Sequence, residues 1–254
     1  MSNTNNKFDV IILSLVVDDF TFQRTSCCVN SYIETANEIV NKIFVVETNP
    51  DFTLDYKQPK VEVIKPNKQF NYNEFYNIAL EKCTAEFIIG PNNDLVIQPN
   101  CLQTMLKEFN SNVEVSSICP IDRDWHRHTK MYLPNDNKLY YGTDVSLHMF
   151  GCLFACRRSV FEKIGYLDET FYFFYQDNDY IMSLDRCGLI HGVHTGARIS
   201  HQSGGSNKYA SERCKYLPQN MHDQGELLKN KWNKEPFSSG GYKPFKSYIY
   251  ESNR

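Results

Sequence analysis

Three short segments carry side chains suited to chemistry. Asp94 closes the run Pro91-Asn92-Asn93-Asp94, directly after the apolar stretch EFIIG at residues 86–90. A carboxylate at the carboxyl end of a buried strand, flanked by amides, suits Mg²⁺ or Mn²⁺, which take oxygen ligands and bridge phosphates through one or two carboxylates. The same tetrapeptide is also ordinary turn chemistry, and the residues alone leave both readings open.

The second segment is Gln176-Asp177-Asn178-Asp179, preceded by an aromatic run at residues 171–175. An Asp at the mouth of an aromatic pocket can act as a general base, because partial desolvation raises its basicity. Asp near the start of a helix equally serves as a cap. The third segment is His201, followed by Gln202-Ser203-Gly204-Gly205-Ser206. A His at a strand end beside a glycine-rich loop could complete a metal site while the loop closes over phosphate; a lone His is also an ordinary residue. Residues 123–130 (RDWHRHTK) mix basic and aromatic side chains, a combination that can hold phosphate and stack on a base, or form a solvated loop.

These groups need a scaffold, and the hydrophobic pattern supplies one. Residues 10–15 form an apolar run broken only by Ser14, as expected of a strand buried on both faces. Residues 21–40 carry apolar positions at roughly helical spacing, and residues 42–47 (KIFVVE) read as a second strand ended by Asn49-Pro50-Asp51. A strand at Val61–Ile64, a helix over 73–82 and a strand over 86–90 follow. This alternation predicts parallel strands joined by crossover helices. Further on, the pattern predicts a helix over 99–109, a strand over 114–119, an irregular polar stretch over 120–147 and a strand over 151–156. Helices over 159–164 and 176–187, closed by Gly165 and Gly188, and a last strand over 197–201 complete it.

Composition narrows the class. The chain has 254 residues, with Lys+Arg at 27, Asp+Glu at 30 and a formal net charge of -3, which argues against a protein that coats polyanions. Nine scattered cysteines, odd in number and without a CxxC pair, fit a reducing compartment better than a disulfide framework or zinc ribbon. No apolar stretch reaches the roughly 18 residues of a spanning helix, and the polar start lacks a signal-peptide pattern. A soluble cytoplasmic protein is expected. Abundant Lys, Asn, Ile, Phe and Tyr are the mixture AT-rich codons favour, pointing to a viral or bacterial source; for a phage-encoded chain the compartment would be the host cytoplasm.

Taken together, the segments resemble the family 2 glycosyltransferases of the GT-A fold. Phe70-Asn71-Tyr72-Asn73, Asn77-Ile78-Ala79, the strand at 86–89 and Asn92-Asn93-Asp94 are similar to one block of that family. Gly151, residues 157–165, Leu167-Asp168-Glu169, Phe171 and residues 176–179 are similar to a second. His201 fits a third element, and the resemblance covers about residues 8–206. It implies an α/β GT-A protein: a Rossmann-like nucleotide-binding half with a mostly parallel central sheet over 1–98, fused to an acceptor-binding and catalytic half over 99–206, with an extension over 207–254.

The resemblance also implies roles. Leu15, Glu47, Thr48, Asn49, Asn77 and Asn93 would contact the nucleotide-sugar donor, UDP being the commonest nucleotide in the family. Asp94 and His201 would meet a divalent cation, Mn²⁺ or Mg²⁺, and Asp177 would be the base of an inverting transfer of a single sugar. Asp168, Glu169, Trp125 and Arg127 would face the acceptor, a saccharide or a hydroxymethylated base in phage DNA. Gln176 departs from the family's usual Glu, and Asn92-Asn93 leave one acid in the metal element. Two competing classes remain, a sugar-nucleotide or glycan-binding module without catalysis and a nucleotidyltransferase. The latter needs a glycine-rich phosphate loop after the first strand, which residues 15–19 (LVVDD) are not. Oligomeric state is not readable from the sequence.

Overall fold

The apolar runs become strands and the runs of 3.6-residue period become helices that cover both their faces. The computed structural model describes residues 6–52, 55–124, 133–145, 147–149, 151–201, 221–233 and 250–251. Strands β1 (Phe8–Ser14), β2 (Val40–Glu47), β3 (Val61–Ile64) and β4 (Phe87–Pro91) are parallel and lie side by side in the order β3-β2-β1-β4. Helix α1 (Asp19–Ala36) connects β1 to β2, and α2 (Tyr72–Leu80) connects β3 to β4. On β1, Phe8, Val10 and Ile12 pack into one core and Ile11 into the other, which is why residues 10–13 of the strand read as an unbroken apolar run.

Local chemistry sets where the helices begin. Asp18 caps α1 by accepting from Thr21 N at 2.9 Å, while Thr21 Oγ1 accepts from Asp18 N at 3.1 Å, a reciprocal box that satisfies two otherwise open donors. Asn71 caps α2 by accepting from Glu74 N at 3.1 Å. Beyond β4 come β5 (Leu95–Ile97) and α3 (Cys101–Ser111). The sequence placed this helix from residue 99. Asn100 instead takes a left-handed backbone (φ 66°), and the helix starts one residue after it.

The second half is mixed in strand direction. It holds β6 (Val115–Ile121), β7 (Leu139–Tyr141), β8 (Leu153–Arg157), α4 (Val160–Ile164), α5 (Gln176–Arg186) and β9 (Ile190–His201), then α6 (Met221–Trp232) and β10 (Tyr250–Glu251). The sheet continues from β4 in the order β8-β6-β9-β7-β10, so strands from both halves share one sheet. β8 runs antiparallel to β4 and β6, and β9 runs parallel to β6. Residues 120–147, expected to be irregular throughout, contain the end of β6 and all of β7, which pairs with β9 from Leu139↔His194 to Tyr141↔Gly192. Three-residue strands are too short to announce themselves by alternation.

The last strand, expected over 197–201, is twelve residues long and does two jobs. Its first part pairs with β6 and β7, and its last three residues pair antiparallel with β5, Leu95 facing His201. Gly165 (φ 81°) and Gly188 (φ 63°) end α4 and α5 in backbone regions that favour glycine. The eight cysteines among the described residues are free thiols. No helix among the described residues is long and apolar enough to cross a membrane.

Candidate functional site

The strand order reverses between β1 and β4, and at such a switch point the carboxyl ends of the strands form a crevice. Three short segments line it: the turn after β1, the turn after β2, and residues 92–94 after β4.

The first two are tied by Glu47. Its side chain is 1% exposed, and Oε1 accepts from Val16 N at 3.0 Å and Asn49 N at 2.8 Å, while Oε2 is enclosed without a partner among the described residues. Burial, opposed by those two hydrogen bonds, pushes its carboxyl up to about 7. Asn49 Nδ2 donates to Val16 O at 2.7 Å and Thr48 N to Ser14 O at 2.8 Å, so the turns after β1 and β2 form one unit, with Leu15 partly buried within it. Glu47, Thr48, Asn49 and Leu15 therefore stand together where the nucleoside contacts were expected, with Glu47 and Asn49 bonded into the chain.

After β4 the asparagines are structural in their bonding. Asn92 N donates to Cys152 O at 2.7 Å, and Asn93 Nδ2 donates to Thr25 Oγ1 at 3.0 Å, which in turn lies 3.1 Å from Ser14 Oγ. Asp94 points elsewhere. Its Oδ1 lies 3.1 Å from His201 Nε2, and its Oδ2 lies 3.3 Å from Arg24 Nη2. The β5–β9 pairing causes the first contact, since Leu95 opposite His201 brings the residue before it alongside the imidazole. Buried Asp122, at the end of β6, accepts from His201 N at 3.2 Å and from Asp124 N at 2.9 Å. Arg24 and Asp122 were missed in the sequence: nothing local distinguishes them from other helix and strand-end charges.

One carboxylate and one imidazole nitrogen converge at Asp94 and His201. That donor set fits Mg²⁺ or Mn²⁺ held largely by phosphate oxygens, as such ions prefer. No group of three His, Cys, Asp or Glu among the described residues could hold a metal ion by itself.

Asp177 sits in the first turn of α5, behind Tyr175, whose left-handed backbone (φ 64°) is unusual for an aromatic residue and aims that turn. The residue is partly buried, and its carboxyl lies deep enough that burial raises its pKa, against hydrogen bonds from the backbone of Asn178, of Asp177 itself and of Gly151. Gly151 packs directly on the carboxylate. Because Gly151 adjoins Cys152, whose carbonyl holds Asn92, the Asp94 segment and the Asp177 carboxyl brace the same stretch of chain. Beside Asp177, Gln176 Nε2 is enclosed with no acceptor among the described residues.

The segment leading to Asp177 is held from both sides. From α2, three asparagines donate to three successive carbonyls: Asn77 Nδ2 to Leu167 O at 2.9 Å, Asn73 Nδ2 to Asp168 O at 2.7 Å and Asn71 Nδ2 to Glu169 O at 2.8 Å. Asn77 Oδ1 also accepts from Leu167 N at 3.0 Å, and its Nδ2 lies 3.0 Å from Glu169 Oε1. Asn77, expected at the donor, thus has its buried amide engaged by the chain at both ends. Asp168, expected to face an acceptor, is likewise bonded within the chain. Burial works to raise its pKa, but Lys231 and Thr170 outweigh it and leave the carboxyl lowered, with Lys231 Nζ at 2.7 Å and Thr170 Oγ1 at 2.7 Å. Glu169 is exposed. Trp125 and Arg127 lie outside the described residues.

On the other side, α6 closes over this segment. Lys231 Nζ bridges Asp168 Oδ2 and, at 2.8 Å, Asp179 Oδ1, and Trp232 Nε1 donates to the same Asp179 oxygen at 2.7 Å. Buried Gln224 accepts from Tyr172 N at 2.9 Å and donates to Thr170 O at 3.3 Å. The sequence assigned α6 no role in the site.

A mixed α/β sheet with its crevice at the parallel strand ends, an Asp-His pair there and an enclosed Asp on a following helix define a GT-A architecture. The comparisons agree on the fold: residues 41–165 match the profile described as "Glycosyl transferase family 2", and the solved structures of similar fold are GT-A glycosyltransferases. No curated protein matches significantly in sequence. Among solved structures, GalNAc-T7 with UDP, GalNAc and Mn²⁺ is 12% identical over 90% of this chain and 55% of its own, with a TM-score of 0.59. The mannosyltransferase PcManGT of Pyrobaculum calidifontis, in complex with GDP-Man and Mn²⁺, is 12% identical over 85% of this chain and 63% of its own, TM-score 0.59. TarS 1-349 of S. aureus with UDP-GlcNAc is 12% identical over 89% of this chain and 66% of its own, TM-score 0.57. At that identity the likeness is one of fold, and the chain spans 55 to 66% of the length of these structures.

Proposed function

We propose that this chain transfers a single sugar from a nucleotide-sugar donor, with UDP the first choice of nucleotide, to an acceptor hydroxyl with inversion at the anomeric carbon. The observation that supports the reading is that the Gly151-Cys152 stretch meets the Asp177 carboxylate and also, through Asn92 N, the segment that carries Asp94. In this reading residues 1–98 hold the donor, 99–206 the acceptor and the proton transfer, and 207–254 the brace that includes α6.

Glu47, Thr48, Asn49 and Leu15 form the floor for the nucleoside. Asp94 and His201 would hold Mn²⁺ or Mg²⁺ against the diphosphate, and such an ion neutralises charge developing on the leaving group. Asp177 accepts the proton of the attacking hydroxyl, its raised pKa making it a stronger base than an exposed Asp. The enclosed amide of Gln176 supplies a hydrogen-bond donor that a sugar hydroxyl would satisfy, relieving a penalty of roughly 1–3 kcal/mol. That role suits Gln where the family usually has Glu.

The test begins with release of free sugar from UDP-, dTDP- and GDP-sugars in Mn²⁺ and in Mg²⁺. Mass spectrometry of saccharide acceptors and of hydroxymethylated DNA nucleosides follows with the best donor, and NMR then assigns the anomeric configuration of the product. Metal-dependent turnover and an inverted product are expected. Retention of configuration would overturn the in-line mechanism, and nucleotide-sugar binding without any turnover would support a binding module instead.

A further inference from the structure

Arg24 has no part in the family resemblance, yet its guanidinium reaches the crevice from α1 and lies 3.3 Å from Asp94 Oδ2. The two side chains are 11% and 10% exposed, so the pair is largely shielded from water. The guanidinium also stands 5.7 Å from the ring centroid of Phe20, one turn earlier on the same helix, which restricts where it can move. Asp94 Oδ1 meanwhile faces His201 Nε2 at 3.1 Å. Both oxygens of the one acid in the 92–94 segment are thus engaged, and the formal charge of Asp94 is matched by that of Arg24.

A divalent cation needs a carboxylate oxygen at about 2.0–2.2 Å and gains little from a neutral pair. Asp122 has both oxygens held by backbone amides, Oδ2 by His201 N and Oδ1 by Asp124 N, which fixes its carboxylate within the chain. Asn92 and Asn93 bring no charge. A nucleoside diphosphate arriving in the crevice would change the balance, adding two or more negative charges and phosphate oxygens suited both to the ion and to a guanidinium.

We propose that Arg24 is a positioning residue that holds Asp94 in an ion pair until the donor arrives, making divalent-cation binding conditional on the diphosphate. The inference rests on the glycosyltransferase reading and adds an order of loading to it. The ion does not bind ahead of the nucleotide, and Arg24 releases Asp94 Oδ2 as the two load together.

The experiment measures bound Mn²⁺ by electron paramagnetic resonance on the full chain, with and without UDP, for the wild type, Arg24→Gln and Arg24→Lys. UDP should tighten Mn²⁺ binding to the wild type on the order of tenfold or more, within the usual range of coupling between sites. Arg24→Gln should bind Mn²⁺ alone more tightly than the wild type and lose most of the dependence on UDP. Arg24→Lys, which keeps the charge, should behave like the wild type, and melting curves identify any variant that fails to fold. Equal or weaker affinity of Arg24→Gln for Mn²⁺ alone overturns the proposal, as does a Lys variant that behaves like Gln. UDP binding measured without metal separates the two levels: loss of UDP binding in every protein overturns the donor site itself, whereas intact UDP binding with unchanged Mn²⁺ affinity overturns the role of Arg24 alone. Absence of Mn²⁺ binding in every protein and condition overturns both the metal assignment and this proposal.

Discussion

Gly151 and Asp177 are in direct contact: a Cβ built on Gly151 would stand 2.7 Å from Asp177 Oδ2 and 3.0 Å from its Cγ. Gly151 itself is exposed, and its backbone hydrogen-bonds the same carboxylate. A glycine at this position therefore serves the carboxyl group and not the core. Gly151→Ala is expected to lower kcat by about tenfold or more, since small misplacement of a reacting group carries costs of that order. The melting temperature should stay within a degree or two. A large fall in stability with unchanged kcat would show that the contact is structural.

Asp177→Asn should abolish transfer while leaving nucleotide affinity within a few fold, because the donor floor lies at the ends of β1 and β2. The raised pKa of Asp177 has a pH consequence with a definite sign. A base must be deprotonated, so activity should fall as pH drops through that pKa, and the acidic limb should lie above the range of an exposed Asp. Full activity retained at pH 4 in a folded protein would rule out Asp177 as the base.

Glu47 should make stability pH-dependent. Its folded-state carboxyl is raised to about 7, so the folded chain holds a proton that the unfolded chain releases from about pH 4.5 upward. Stability from this group is present below that point and is lost as pH rises through 7, with a ceiling of roughly 3 kcal/mol. Glu47→Gln keeps an oxygen for Val16 N and Asn49 N. It should gain stability over the wild type at pH 8 and little at pH 4. Parallel stability curves from pH 4 to 8 would refute the assignment.

Lys231→Met tests the brace. The change leaves Asp179, 3% exposed, without its ammonium and Asp168 without one partner. Because Lys231 itself is exposed, solvent screens part of the interaction, and its removal should cost about 1–2 kcal/mol. Burial already raises Asp179, and loss of Lys231 raises it further, so the destabilisation should shrink in acid as the carboxyl takes up a proton and grow toward neutral pH. A penalty independent of pH would point to lost packing against Phe171 and Trp232, which Lys231 also faces.

Asn77→Ala distinguishes a structural amide from a donor contact. With both ends of the amide bonded to Leu167, its loss should cost about 2 kcal/mol of stability through two orphaned backbone groups. UDP affinity measured below the melting transition should be unchanged; a tenfold weaker affinity would assign the amide to the donor.

The parallel half is readable from residue order because β1, β2 and β4 are largely buried on both faces and each helix carries its own cap, as Asp18 and Asn71 show. Such signals are local: an apolar run, a turn residue and a capping oxygen lie within a few positions of one another. The resemblance likewise found both motif blocks. It could not show that one block bonds the other, with Asn71, Asn73 and Asn77 meeting the carbonyls of Glu169, Asp168 and Leu167.

Long-range register is where residue order fell silent. Asp94 meets His201 because three residues of β5 pair with the tail of β9, a contact across 107 positions that no periodicity encodes. Arg24 reaches Asp94 across 70 positions, and Trp232 reaches Asp179 across 53. Residue types and their local spacing thus specified the parallel strands, the helices between them and the candidate acids. Which charges face one another, and so whether Asp94 is open or paired and how Asp177 is held, depended on how the strands and helices pack, because an ion pair is set by distance in space and not by separation along the chain.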